Sequence, residues 1–182
     1  YNWFSFTATS LYDKIQSSYP HFYNLMKKAG FVVEREYRFS FVSESEFYTV
    51  FIPTQEALNA YNVNSLTIPE LQKFLKMHFI QGEIIFTDGN KQPAYYETTR
   101  EDEKSTQFST VYTQLYVEPG IDVIRFLNKE GEVYAEVEES DATNVLTGVN
   151  LGEGQQIFNN VYNNAVIHEI DTVLIYNEVD TK

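Results

Sequence analysis

The chain has 182 residues, of which 26 are acidic and 13 are basic, giving a formal charge of -13. A single domain of this size buries roughly 70% of its unfolded surface, so folding requires neither a disulfide nor a metal, and the absence of cysteine excludes a thiol nucleophile. The negative charge repels phosphate backbones and anionic lipid, so nucleic acid is not expected as a partner.

Two short helices are predicted near the N-terminal end. Thr9 or Ser10 can cap the first helix, which Pro20 interrupts. The second helix ends at Gly30 and carries an apolar stripe at helical spacing, formed by Phe22, Leu25, Met26 and Ala29. Residues 31–43 then alternate loosely between apolar and polar side chains, as weak strands do.

A short buried strand is predicted next, followed at once by a helix. The apolar run Tyr48–Ile52 is closed by Pro53, as expected for a strand that enters a turn. Thr54 is a good N-cap residue for a helix over Gln55–Ala60.

The strongest local signal is a capping box formed by Thr67 and Glu70, whose side chains can satisfy each other's backbone donors. The residues that follow place apolar side chains on one helix face, together with His78. This helix is predicted to run to about Gln81 and to stop at Gly82.

Beyond Gly82 the apolar period changes to two, which predicts a C-terminal half built of strands. Asp88-Gly89 is predicted to form a hairpin turn, and residues 100–104 are predicted to form a charged loop. Residues 133–138 are predicted to form a strand with one apolar face, called the dry face below, and one acidic face. The predicted strands are Glu83–Thr87, Pro93–Thr99, Gln107–Val117, Ile121–Leu127, Val133–Glu138, Asn144–Leu151, Gln155–Val161 and Ala165–Ile175.

Three segments, in the right order, resemble the signatures of the fasciclin domain. Tyr48–Thr54 resembles that family's Thr-Val-Phe-Ala-Pro-Thr strand and turn. Leu71–Gly82 resembles its helix ending in Tyr-His and a glycine turn, and Asn163–Leu174 resembles its closing Asn-Gly-Val-Ile-His-Val-Ile-Asp strand. The resemblance covers about residues 10–175, although the stretch between Thr87 and Gln155 matches only in strand pattern.

The resemblance implies a β-rich α+β fold, a β-sandwich with helices packed around it, mostly in the N-terminal half of a single domain over 1–182. It also implies a non-enzymatic, extracytoplasmic module for adhesion or interaction, either secreted or located at the cell surface. Such a module binds a protein or a glycan at the cell surface and needs no cofactor. Because the chain starts at Tyr1 without a signal peptide, we expect a piece of a longer chain with neighbouring domains and no membrane insertion of its own. The composition of the chain is acidic and rich in Asn and Tyr, which suggests a bacterial surface lipoprotein that is anchored through a missing N-terminal segment.

The family's motif falls on residues that are expected to be mainly structural: Thr49, Pro53, Thr54, His78, Asn164, His168 and Asp171. Three positions depart from the family pattern, with Met77 in place of Tyr, Gln81 in place of Pro and Ala165 in place of Gly. The first departure weakens any transfer of the family's Tyr-His adhesion motif. The third is tolerable if residue 165 does not need a positive φ, and Asn164, which tolerates the left-handed region, is then expected to carry the turn.

Tyrosine is the residue type most suited to binding here, because its ring is amphipathic, although most of the 14 Tyr and 14 Phe are explained by strand packing. We predict a candidate binding surface of exposed tyrosines in the long middle segment, made of Tyr95, Tyr96, Tyr112 and Tyr116. The alternative function is a carbohydrate-binding module of a bacterial polysaccharide-capture system. It requires several of these rings to share one face as a stacking platform.

The chemistry-bearing side chains have simpler interpretations. A zinc site would need His21, His78 and His168 to converge, whereas the sequence favours the last two as buried histidines hydrogen-bonded to backbone or carboxylate. His168 and Asp171 lie three residues apart on a strand and therefore point to opposite faces, which argues against a catalytic pair. No metal site is expected.

Acidic pairs raise one enzymatic hypothesis. Glu101 with Glu103, or Glu136 with Glu138, could serve a carboxylate-based hydrolase if two carboxyl groups faced each other across a cleft at roughly 5 to 10 Å. Strand and loop contexts favour solvated faces instead. The chain is therefore not expected to be an enzyme.

Overall fold

The computed structural model describes residues 10–43, 45–150 and 161–175. Four α-helices lie in this part of the chain: α1 (Leu11–Ser18), α2 (Pro20–Lys28), α3 (Gln55–Tyr61) and α4 (Ile68–Lys76). Ten strands accompany them: β1 (Val32–Val33), β2 (Arg38–Phe39), β3 (Tyr48–Pro53), β4 (Phe79–Gln81), β5 (Ala94–Glu101), β6 (Tyr112–Pro119), β7 (Val123–Leu127), β8 (Val133–Glu138), β9 (Val145–Asn150) and β10 (Val161–Ile170).

Side-chain caps start three of the helices at the predicted residues. Ser10 accepts a hydrogen bond from the backbone of α1, and Thr54 does the same for α3. The predicted capping box of α4 is complete, since the Thr67 N–H donates to the Glu70 carboxylate at 2.8 Å and the Glu70 N–H donates to the Thr67 hydroxyl at 3.3 Å. Local chemistry alone therefore fixes where these helices begin.

The predicted C-terminal end of α4 was wrong, because the helix stops at Lys76 and residues 79–81 form strand β4. Strand β4 pairs with β3, placing Phe79 opposite Val50 and Gln81 opposite Tyr48. This pairing satisfies backbone N–H and C=O groups of β3, which is fully buried. A helix that continued to Gln81 could not pair with β3. Gly82, at φ +87, turns the chain out of β4 instead of out of the helix.

Eight strands form one mixed sheet in the order β8-β7-β6-β5-β4-β3-β10-β9. β10 runs parallel to β3, and the other neighbouring pairs are antiparallel. The sheet curls, so that β8 near one end contacts β10 near the other. The resulting α+β architecture agrees with the predicted sandwich-like sheet and its helices, which lie in the N-terminal half.

Strand β3 is buried on both faces and separates two hydrophobic cores. Val50 and Ile52 belong to the first core, which lies against the helices. Phe51 lies between these two residues and points to the opposite face of the strand, where it contacts Phe126. It belongs to the second core, which lies inside the curl of the sheet. Because side chains alternate along a strand, one continuous apolar run supplies both cores.

Three further expectations about the strands needed correction. Glu83–Thr87 is not a strand and forms no hairpin across Asp88-Gly89, because the Thr49 hydroxyl holds this segment by donating to the Glu83 carbonyl and accepting from the Ile85 N–H. Residues 100 and 101 belong to β5 and not to a loop. Val133 lies on the expected dry face of β8 but is 49% exposed.

The closing strand was predicted at 165–175, but β10 spans Val161–Ile170. Asn164 does not carry a left-handed turn, since it is absent from the described residues with positive φ, and a register shift between Asn163 and Ala165 accommodates the chain there. The candidate strand at 155–161 lies outside the described residues except for its last residue.

Candidate functional site

The outer face of strands β5 and β6 carries two tyrosines directly opposite each other. Tyr95 and Tyr116 are cross-strand partners whose ring centroids lie 5.0 Å apart with an interplanar angle of 75°. Tyr95 is 67% exposed, and Tyr116 is half-buried. An edge-to-face pair of this kind holds both rings in fixed orientations at the surface.

The sheet register extends this pair into a row. Tyr116 lies opposite Leu127 of β7, so two aromatic rings and one aliphatic side chain follow one another across three strands. The next row consists of charged residues, since Arg125 bonds to Glu136 at 3.1 Å and lies 3.7 Å from Glu118. The ion-paired row therefore borders the apolar row along one side.

A surface cavity of about 720 Å³ lies over the same strands. Its rings and apolar side chains include Tyr95, Tyr112, Tyr116, Tyr134, Leu127 and Met77. Its polar side chains include Glu97, Asp102, Lys104, Thr110, Gln114 and Asn128. We call this the tyrosine cavity; its volume lies within the range of roughly 300 to 1,000 Å³ that is usual for small-ligand sites.

A buried arginine positions one wall of the tyrosine cavity. Arg100 is 4% exposed and donates to the Thr113 hydroxyl at 2.7 Å and to the Glu103 carboxylate at 2.7 Å. Glu103 also accepts a hydrogen bond from Lys73 at 3.0 Å, which joins the loop to α4. Asp102 lies between these anchors and lines the cavity, accepting from Thr113.

Of the four tyrosines predicted as an exposed surface, the structure brings Tyr95, Tyr112 and Tyr116 together at the cavity. Tyr96 was placed wrongly, because it is only 8% exposed and belongs to the second core. Its hydroxyl donates to the Gln92 carbonyl at 2.6 Å, and burial raises its pKa. Adjacent strand residues point to opposite faces, so Tyr95 and Tyr96 could not share one surface.

Other residues of the tyrosine cavity were missed by sequence reasoning. Gln114 lies between Tyr112 and Tyr116 in the alternation of β6, and Glu97 is its cross-strand partner. The period of two along β6 could have identified Gln114. Asp102 and Met77 carry no comparable signal, because they reach the cavity from other segments through the tertiary fold.

The first family motif connects the sheet to its neighbours. Thr49 is fully buried and fixes residues 83–85, as described above. The Pro53 carbonyl lies 2.9 Å from Nε2 of His21, and Thr54 caps α3. These contacts all lie away from the tyrosine cavity.

Two motif histidines are fully buried, and each bonds to two backbone groups. His78 has Nδ1 at 2.9 Å from the Phe74 carbonyl, while Nε2 accepts from the Leu174 N–H at 3.0 Å. In His168, Nε2 is 2.7 Å from the Ile85 carbonyl, and Nδ1 accepts from the Asn144 N–H at 3.1 Å. Each ring therefore donates once and accepts once, which only neutral imidazole can do. Burial lowers the pKa of both rings to about 4.

The last motif residues lie at and just beyond β10. Asn164 is buried and donates weakly to the Glu46 carbonyl at 3.5 Å, and its side-chain oxygen has no hydrogen-bond partner among the described residues. Asp171 is exposed. Ala165 is fully buried in the first core, so a methyl group fits where the family usually has glycine.

Met77 packs in the second core at 1% exposure and also lines the tyrosine cavity. At the family's Tyr-His position this chain therefore has an apolar thioether side chain, and the neighbouring His78 is held by backbone hydrogen bonds. In the described part of the chain, no three His, Asp or Glu side chains gather in an arrangement that could hold a metal ion.

The acidic pairs considered for hydrolysis lie in ion pairs or at the surface. Burial alone would raise the pKa of Glu103, but hydrogen bonds from Arg100 and Lys73 lower it to about 2. A carboxyl group with that pKa is ionised at neutral pH and cannot act as a general acid. Glu136 is paired with Arg125, and Glu138 is exposed.

A curled mixed sheet with its helices on one side defines an α+β domain, and its outer face carries the tyrosines that line the cavity. A family model described as Fasciclin domain matches residues 17–176. The chain belongs to the fasciclin family, whose domains are in general non-catalytic adhesion or interaction modules, typically extracellular or associated with surfaces. A search of curated proteins gave no match. Among the described helices, none has the length and apolar character needed to cross a bilayer.

Proposed function

We propose that this domain is a non-enzymatic adhesion or interaction module that works outside the cytoplasm and binds a protein or a glycan at the cell surface. The observation that carries the proposal is the position of Tyr95, Tyr112 and Tyr116, which share the outer face of two neighbouring strands around one cavity. The opposite face of the same strands is core, so these rings are held on a rigid support.

The composition of the outer face supports a binding role. Tyrosine contributes a large apolar contact area at a small cost in side-chain entropy, and its hydroxyl can still bond to a polar partner. The row of Tyr95, Tyr116 and Leu127 is bordered by the ion-paired row of Arg125, as binding patches are often rimmed by polar groups. We place the partner on this face.

Family membership supports a location outside the cytoplasm. Attachment to a bacterial surface by a lipid carried on a preceding segment is part of the proposal, as is the presence of neighbouring domains. Protease treatment of intact source cells, followed by detection of this domain with an antibody, tests the location. Complete protection of the domain in intact cells, together with digestion in lysed cells, would contradict it.

The binding surface is tested with the purified 182-residue chain against defined panels of extracellular proteins and of glycans. The double variant Tyr95→Ala/Tyr116→Ala is compared with the control Tyr37→Asn. Tyr37 is 69% exposed and contacts α1 through Tyr12, and Asn tolerates its φ of +51°. We expect saturable binding that the control keeps and the double variant loses. Equal binding by both folded variants would place the partner elsewhere.

A polysaccharide-capture module is the second candidate, and one observation favours it. That function requires several tyrosine rings on one face, and three of the four tyrosines line a single cavity. A concave site of this kind suits a small or chain-like ligand better than a flat protein surface.

A further inference from the structure

We infer that the tyrosine cavity binds a neutral oligosaccharide, whose sugar rings stack on Tyr95 and Tyr116 and whose hydroxyl groups bond to Gln114 and the polar side chains around it. The inference rests on the proposed function and names the ligand class of the same surface. The rings, the polar groups and the charge of the cavity each contribute to it.

The aromatic rings offer apolar faces at more than one place along the cavity. Tyr95 and Tyr116 have nearly perpendicular ring planes, so the pair forms a corner rather than one flat patch. Tyr112 lies four residues from Tyr116 on the same strand face, a separation of about 13 Å along an extended strand. A chain of several sugar rings can contact all three tyrosines, whereas a single ring cannot.

The polar groups between the rings can both donate and accept hydrogen bonds. Gln114 is exposed between Tyr112 and Tyr116, and its amide supplies two donors and one acceptor oxygen. The Glu97 carboxylate lies on the neighbouring strand, where the Gln81 amide holds it at 2.7 Å. Sugar hydroxyl groups also donate and accept, so this mixture matches a polyhydroxylated ligand.

The charges of the cavity select against other ligand classes. Glu97 and Asp102 are offset by Lys104 and Lys129, so the lining has no excess of positive charge. The chain as a whole carries -13, which repels sulfated or carboxylated glycans. A purely apolar ligand would cover the exposed amide of Gln114 without offering it a hydrogen bond, which makes such binding unfavourable.

The arrangement is also preorganised. The Tyr95–Tyr116 pair is fixed by the register of β5 and β6, and the wall that bears Asp102 is fixed by Arg100 through Thr113 and Glu103. A site whose side chains are already ordered loses little conformational entropy when a ligand binds. The cavity can therefore bind a flexible chain of sugars without first rearranging.

Affinity electrophoresis of the 182-residue chain provides the test. The probes are neutral polysaccharides, namely β-glucan, xylan, galactomannan and starch, and the anionic polymers heparin and polygalacturonate. We expect retarded migration with at least one neutral polymer and none with the anionic polymers. Isothermal titration with oligosaccharides of the retarding polymer should then show about tenfold weaker binding for Tyr95→Ala and for Tyr116→Ala, the factor that corresponds to ~1.4 kcal/mol.

Gln114→Ala should weaken the same binding, and the control Tyr37→Asn should leave it unchanged. Binding to a defined extracellular protein that depends on Tyr95 and Tyr116, with no neutral polysaccharide bound, would overturn the inference while upholding the proposed function. Preferred binding of heparin or polygalacturonate would overturn the charge argument and the inference with it. Binding that is insensitive to all three cavity variants would overturn both the inference and the proposed surface.

Discussion

Acidification should destabilise this fold through His78 and His168, because each ring is buried with one nitrogen accepting a backbone hydrogen bond. Protonation turns that nitrogen into a donor that faces another donor, the N–H of Leu174 or of Asn144. Both rings have a pKa of about 4 in the folded protein, below the ordinary 6.5 that applies when the chain unfolds. The unfolded chain therefore binds more protons between these values, and stability falls as the pH drops through this window.

The size of the effect follows from the two pKa values. Each histidine should cost about 2 kcal/mol of unfolding free energy between pH 7 and pH 5, and about 3 kcal/mol by pH 4. The two together remove about 4 kcal/mol at pH 5, which is a large part of the 5 to 15 kcal/mol that is typical of a domain, as an order of magnitude. Above pH 6.5 the neutral rings contribute their full stabilisation.

Urea unfolding followed by far-ultraviolet circular dichroism at pH 7, 6 and 5 measures this slope. The double variant His78→Asn/His168→Gln keeps polar side chains at both positions but cannot titrate, so its free energy should be lower at pH 7 and nearly independent of pH. Glu103→Gln is the matched control. Folding lowers the pKa of Glu103 from 4.5 to about 2, so its contribution to stability is lost below about pH 5, and its removal should leave the slope between pH 7 and pH 5 nearly intact. A wild-type free energy that stays constant from pH 7 to pH 5 would refute the reasoning.

Three further predictions test the packing and the caps by urea unfolding at pH 7. Thr67→Ala removes the capping box of α4 and should cost about 1 kcal/mol, and a loss below 0.3 kcal/mol would show that the cap is redundant. Phe126→Ala empties the centre of the second core and should cost roughly 3 to 5 kcal/mol, whereas Ile121→Ala, at a 77% exposed position, should be nearly neutral. Ala165→Gly restores the family's residue yet should destabilise by roughly 0.5 to 1 kcal/mol, because residue 165 has no positive φ; a gain in stability would contradict this backbone reading.

The starts of the helices could be read from the sequence, whereas the end of α4 could not. The capping box of Thr67 and Glu70 is complete within four residues, so its signal is local. The end at Lys76 depends on strand β4, whose partner β3 lies about thirty residues earlier in the chain. The apolar pattern of the helix continues into the strand, since Phe79 is buried in either conformation. The local sequence therefore does not indicate where the helix ends.

The binding surface was predictable as a region but not as a set of residues. The period of two places Tyr95 and Tyr96 on opposite faces, yet only the pairing of β5 with β6 and the core inside the curl decide which ring is exposed. The contribution of Met77 and of Asp102 to the same cavity is tertiary, because they reach it from segments that the sequence separates from the tyrosines.

The position of the tyrosine cavity follows from how the helices are distributed. Strand β3 is buried on both faces, because the helices cover one side and the curl of the sheet covers the other. Strands β6, β7 and β8 have core residues on one face only, and within the described chain the other face carries exposed and half-buried side chains. A rigid sheet that is covered on one side can vary its outer residues without disturbing its core. Substitutions at Tyr95 or Gln114 should therefore alter binding while leaving the unfolding free energy within about 0.5 kcal/mol of the wild type, and a larger loss would mean that these side chains support the fold.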